Sequence, residues 1–176
     1  MNQPRRVLGL DPGTAITGYG IVCSEGQSLT PVTYGVITTP TGLALPLRLQ
    51  QLYGELRELI NTYRPTAAAV EELYFARNAR TALGVGHARG VILLALAEAG
   101  LDIYSYTPLQ VKQAVTGYGR ADKEQMQQMV RLLLSLEAIP QPDDAADALA
   151  VAICHANSWA VNARLSASDA DEEGGA

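Results

Sequence analysis

Residues 7–23 read VLGLDPGTAITGYGIVC. Val7–Asp11 is a short apolar run, and Pro12-Gly13 stops it with a turn signal. Thr17–Cys23 has β-forming character, and Val32–Thr38 (VTYGVIT) repeats it after a Gly-containing connection. Three strands in an antiparallel meander are expected. Further along, the period changes. Leu45, Leu49, Leu52, Leu56 and Leu59 recur three and four apart, which predicts an amphipathic helix over Ala44–Tyr63 that Arg64-Pro65 ends. Ala67–Glu71 reads as a buried strand, Ala82–Ala99 as a helix apolar nearly all round in its later half, and Asp102–Tyr106 as a fifth strand. Thr107-Pro108 sets an N-cap before a proline at the first helical position, so a helix runs from there toward Gly117. Asp122–Leu136 forms another, and after Pro140 and Pro142 the chain enters a last helix over Asp143–Asn157. The order βββ-α-β-α-β-ααα predicts an α/β fold with a mixed five-stranded sheet flanked by helices.

The 176 residues suffice for one domain with a full core, and 48% of them are apolar. No apolar run reaches membrane-spanning length, so no membrane association is expected. Cys23 and Cys154 sit in apolar stretches without metal spacing and read as buried free thiols. With no signal-peptide pattern at the start, this favours a cytoplasmic protein. The formal charge of −5 is unevenly spread: residues 1–76 carry net −1, 77–131 net +3 and 132–176 net −7. Four of the last acids lie in DADEEGGA. Residues 161–176 are therefore expected to be an acidic disordered tail on a domain covering 1–160. The middle segment can present a basic face.

Four acids then read as one site. Asp11 ends VLGLD and Glu71 ends AAAVE, both at the carboxyl ends of strands, the edge where open α/β sheets bind ligands. Asp144 and Asp147 are three apart in DDAADALA and share a helix face in its first turn. Asp143 reads as the N-cap after Pro142. Strand alternation sends Glu71 and Glu72 to opposite faces. Clustered carboxylates without basic neighbours need a cation between them. An all-oxygen set suits Mg²⁺ or Mn²⁺ rather than zinc. Two such ions about 3.5–4 Å apart can clamp the attacking and leaving oxygens of a phosphodiester. His155 lies eight residues beyond Asp147, roughly 12 Å along a helix, and both it and His87 are left out of the site.

The blocks VLGLDPGTAITGYGIV, AAAVEELYFARNARTALGVGHARG, VKQAVTGYGRADKEQM and DDAADALAVAICH, spanning Arg6 to Asn157, together resemble the RuvC Holliday-junction resolvases. The resemblance implies a ribonuclease-H-like fold for the nuclease domain, a homodimer, and Mg²⁺-dependent paired nicking of four-way DNA junctions in recombination and repair. It also implies work alongside the RuvA–RuvB branch-migration complex; the four carboxylates themselves set the expectation of two Mg²⁺ ions per site, with Mn²⁺ able to substitute. The family's catalytic and metal-binding acids fall on Asp11, Glu71, Asp144 and Asp147. Its junction-inserting aromatic falls on Tyr74, with Phe75 beside it, and base–aromatic stacking is worth about 1–3 kcal/mol per base. Lys112 and Lys123, the only lysines, match residues that contact DNA near the cut, and Lys112 joins the catalytic set. A lysine is a compact charge for a phosphate or a developing oxyanion. Arg77, Arg80 and Arg120 flank the same loops and are expected on phosphates.

Gly84, Gly86 and Gly90 lie inside the second helix, where each costs about 1 kcal/mol relative to alanine. Close approach of another helix would offset that. A twofold dimer would match a junction with two equivalent strands. A related nuclease that trims ribosomal RNA precursors would lack the aromatic loop. An actin-like sugar kinase would need a much longer chain.

Overall fold

The computed structural model describes residues 4–73 and 79–173; for 79–81 and 160–173 the description is of the backbone alone. The elements are β1 (Arg5–Asp11), β2 (Ile16–Glu25), β3 (Ser28–Thr38), α1 (Leu45–Tyr63), β4 (Ala67–Glu71), α2 (Ala79–Glu98), β5 (Asp102–Tyr106), α3 (Pro108–Thr116), α4 (Lys123–Leu133) and α5 (Asp143–Glu173). They form the expected mixed sheet, in the order β3-β2-β1-β4-β5. β1–β2 and β2–β3 are antiparallel, while β1–β4 and β4–β5 are parallel.

β2 and β3 run longer than their apolar cores because they close through a tight hairpin at Gly26, which takes φ +62°. β3 is the edge strand and tolerates Pro31 there. α4 stops at Leu133, earlier than the apolar pattern suggests, because Ser135 turns the chain at φ +52°. α5 carries backbone helix through Glu173, beyond Asn157 and across most of the segment that composition marks as an acidic tail.

Alternation along the strands divides the core in two. Leu8, Leu10, Ala68 and Val70 face α1 and α2. Val7 and Ala69 face the layer of α3, α4 and α5. α5 lies directly on the sheet, and glycines permit it. A Cβ on Gly9 would stand 2.1 Å from the Ala148 carbonyl oxygen, and one on Gly18 would stand 2.0 Å from that of Asp144. The helix answers with alanines: Ala145, Ala146, Ala148, Ala150 and Ala152 are all buried.

Candidate active site

β1 and β4 pair in register from Val7–Ala67 to Leu10–Val70, so Asp11 and Glu71 stand side by side one residue further on. Both share the parity of Val7 and Ala69 and face α5. Glu72 lies past the strand end, exposed, with its N–H donating to the Tyr106 carbonyl. Asp11 is also the register partner of Gly18 on β2, and Gly18 carries the backbone of Asp144. Within Ala145–Ala156 of α5 every residue is buried except Asp147, which is half-buried and opens onto a cleft. That cleft, about 220 Å³, is lined by Glu71, Asp147, Lys112 and Lys123 over an apolar floor that includes Val111, Met126 and Ala150.

The turn after Asp11 is braced. A Cβ on Gly13 would stand 2.1 Å from the Ile16 carbonyl oxygen, so the tight turn requires glycine. The buried Thr17 hydroxyl donates to the Gly13 carbonyl at 2.7 Å, and the Thr39 hydroxyl donates to that of Thr14. At the Glu71 side, Arg89 Nε donates to the Glu71 carbonyl at 3.3 Å, and its Nη2 donates to Ser105 Oγ at 2.9 Å. Sequence reading placed neither Arg89 nor Gly18 in this role, because each acts on backbone that only the fold brings near. The glycine-alanine match of β2 and α5 is the one signal that could have suggested Gly18.

Burial, then repulsion from Glu71, Asp147 and Asp144, pushes the Asp11 carboxyl up to about 8. Burial also raises Glu71, with its hydrogen bond to Asp11 and the charge of Lys112 opposing. Burial raises Asp147 against the pull of Lys123. Lys123 Nζ lies 2.9 Å from Asp143 Oδ2 and 3.8 Å from Asp147 Oδ2. Asp143, read from sequence as an N-cap, instead spends its carboxylate on Lys123 and on Gln127 Nε2 at 3.0 Å.

The four acids thus share one sheet edge but do not form a closed cage. Among the described residues, no three acidic, histidine or cysteine side chains are arranged ready to hold a metal ion. Their chemistry nonetheless fits a divalent cation. The donors are all hard carboxylate oxygens, and at Asp11 repulsion from the neighbouring carboxylates adds to the cost of burial.

Arg120 is exposed in the α3–α4 connection. Tyr74, Phe75 and Arg77 lie outside the described residues, as does the side chain of Arg80. His155 is buried, with Nδ1 2.8 Å from the Tyr106 hydroxyl and burial lowering it to about 4, so it is a neutral packing group. Cys154 is buried too, but Cys23 is only partly so. No helix among the described residues is long and apolar enough to cross a membrane.

Sheet order, strand-end acids and a capping helix of this kind define the ribonuclease-H-like class. Residues 7–155 match the family model described as crossover junction endodeoxyribonuclease RuvC. The curated RuvC of Heliobacterium modesticaldum is 59% identical over 160 residues, 90% of this chain and 99% of its own. That of Rubrobacter xylanophilus is 59% identical over 157 residues, 89% and 88% of the two chains. Among solved structures, T. thermophilus RuvC in complex with a Holliday junction substrate superposes with a TM-score of 0.85 at 37% identity, covering 90% of this chain and 96% of its own. The yeast mitochondrial resolvase Ydc2, at 17% identity and TM-score 0.64, shares the fold. The chain belongs to the RuvC family of crossover junction endodeoxyribonucleases.

Proposed function

We propose that this protein resolves four-way DNA junctions in recombination and repair by paired, symmetric nicks, as a divalent-metal-dependent endonuclease in which Mg²⁺ serves, two ions per site, with Mn²⁺ able to replace it. The observation that carries this reading is the cleft where Glu71, Asp147, Lys112 and Lys123 meet, with Asp11 beside Glu71 and Asp144 above Gly18.

Asp11, Glu71, Asp144 and Asp147 would hold the metal. When bound, the metal lowers the pKa of an attacking water and stabilises charge on the leaving 3′ oxygen. Asp11 and Glu71, whose proton affinities are raised, would have to bind the metal deprotonated. Lys112 and Lys123 flank the cleft and orient the scissile phosphate as point charges. Arg120, Arg77 and Arg80 extend the phosphate contacts, and Tyr74, with Phe75, stacks at the junction centre.

The active form is a homodimer. On α2, Leu83, His87, Gly90, Leu94 and Ala97 are all exposed and follow 4-3-4-3 spacing, the seam of two packed helices. Leu83 is 64% and Leu94 54% exposed, high for large apolar side chains on one stripe. Gly84 and Gly86 meet Thr14 and Leu73 of their own chain, whereas among the described residues a Cβ on Gly90 would meet nothing within 4 Å. Of the three, Gly90 is the one placed for close approach of a second helix. Residues 1–160 form the nuclease unit and 161–176 an appended acidic tail. The setting is the cytoplasm, with the RuvA–RuvB complex as partner.

Incubation with an end-labelled immobile junction and Mg²⁺ tests this. Symmetric nicks lost with chelator are expected, and equal cutting of plain duplex overturns it.

A further inference from the structure

Lys123 opens α4 and lines the cleft, and Asp143 opens α5 beside it. Asp143 is held from two sides by α4. Its Oδ2 takes Lys123 Nζ at 2.9 Å, and its Oδ1 accepts from Gln127 Nε2 at 3.0 Å. Lys123 and Gln127 are four apart and share one helix face. Lys123 also reaches toward Asp147, 3.8 Å away. We propose that Asp143 is a positioning residue that berths the Lys123 ammonium beside the scissile phosphate when the acids carry metal; this rests on the reading of Lys123 given above.

A lysine is a flexible four-carbon stem, and only its partners fix its head. Asp147 is one partner, but a dication on Asp147 cancels that attraction and repels the ammonium. Asp143 has both oxygens engaged on the α4 side and is not needed as a metal ligand, so it keeps its charge for Lys123. Exposed ion pairs add little to stability, and side chains on both sides here are about half exposed. The pair therefore matters for position rather than for folding.

Lys112 and Lys123 are the only lysines, so NMR of ε-labelled lysine gives two resolvable signals. With Mg²⁺ and no DNA, the two ε protons of Lys123 should be inequivalent in the wild type and average to one shift in Asp143→Asn. Single-turnover junction cleavage by Asp143→Asn should fall about 10-fold, in the range of lost supporting contacts, with junction affinity within about 2-fold. Lys123→Ala should fall at least as far, and the double variant no further than Lys123→Ala alone. An averaged Lys123 signal in the wild type with Mg²⁺, wild-type cleavage by Asp143→Asn beside an impaired Lys123→Ala, or additive losses in the double variant overturns the proposal and leaves the nuclease reading intact. Wild-type cleavage by Lys123→Ala overturns the reading of Lys123 itself.

Discussion

The pair Asp11 and Glu71 places two carboxyls side by side at the end of parallel strands, where burial raises both proton affinities and repulsion from Glu71 raises that of Asp11 further. A group whose folded pKa is raised contributes stability that is full below its unfolded value and is lost as pH rises through the folded value. For Asp11 that window runs from the ordinary carboxylate range to about 8. Metal-free protein should therefore melt higher near about pH 6 than near about pH 9, and Asp11→Asn should flatten that slope. Differential scanning calorimetry in chelator reads this directly; a wild-type melting point that is unchanged over the range contradicts it. Added Mg²⁺ should raise the melting point more at the higher pH, because ligands bind metal deprotonated. That Asp11 and Glu71 stand at one edge of the sheet was legible because each ends an apolar run; strand parity only sends Glu71 and Glu72 to opposite faces, and the choice of Glu71 came from the resemblance to the family motif. Asp143 was not legible: its spacing fits an N-cap, and its partners, Lys123 and Gln127, arrive from a helix that sequence cannot orient.

At the scale of elements, α5 makes the site because it lies closer to the sheet than a helix with ordinary neighbours could. Gly18 sets that distance under Asp144, where an added Cβ would meet a backbone oxygen that cannot swing away. Gly18→Ala should cost at least about 2 kcal/mol, lowering the melting point by about 2–4 °C per kcal/mol, and should depress cleavage by displacing Asp144. Gly54→Ala gives the opposite sign. Gly54 is exposed inside α1 with nothing within 4 Å of an added Cβ, so alanine should stabilise by about 0.5–1 kcal/mol. Thermal melts of the two variants check both; a neutral Gly18→Ala would mean that α5 can shift. Element types and sheet class followed from period and turn residues, as with Thr107-Pro108, where a capping box forms with Gln110. Boundaries failed where the backbone broke a rule without announcing it. Ser135 ends α4 at positive φ with no glycine to mark the place.

For the whole molecule, the two core clusters assign α1 and α2 to one face of the sheet and α3, α4 and α5 to the other, leaving the outer stripe of α2 uncovered by the described residues. On the proposed homodimer, Leu94→Glu should convert dimer to monomer in sedimentation velocity while leaving the fold intact. Gly90→Ala should weaken dimerisation, whereas in an isolated helix it would only stabilise. Unchanged sedimentation of Leu94→Glu would remove α2 from the interface. The apolar run Val91–Ala97 hinted at a second buried face, but sequence could not tell which residues the sheet already covers. The most direct test of the account uses a supercoiled plasmid that extrudes a cruciform. With Mg²⁺, the wild type should convert it to linear product through two nicks in one binding event, and Asp11→Asn should cut about 100-fold more slowly or worse while still binding the junction. Accumulation of nicked circles as the end product, or linear product formed at the wild-type rate by Asp11→Asn, would contradict it.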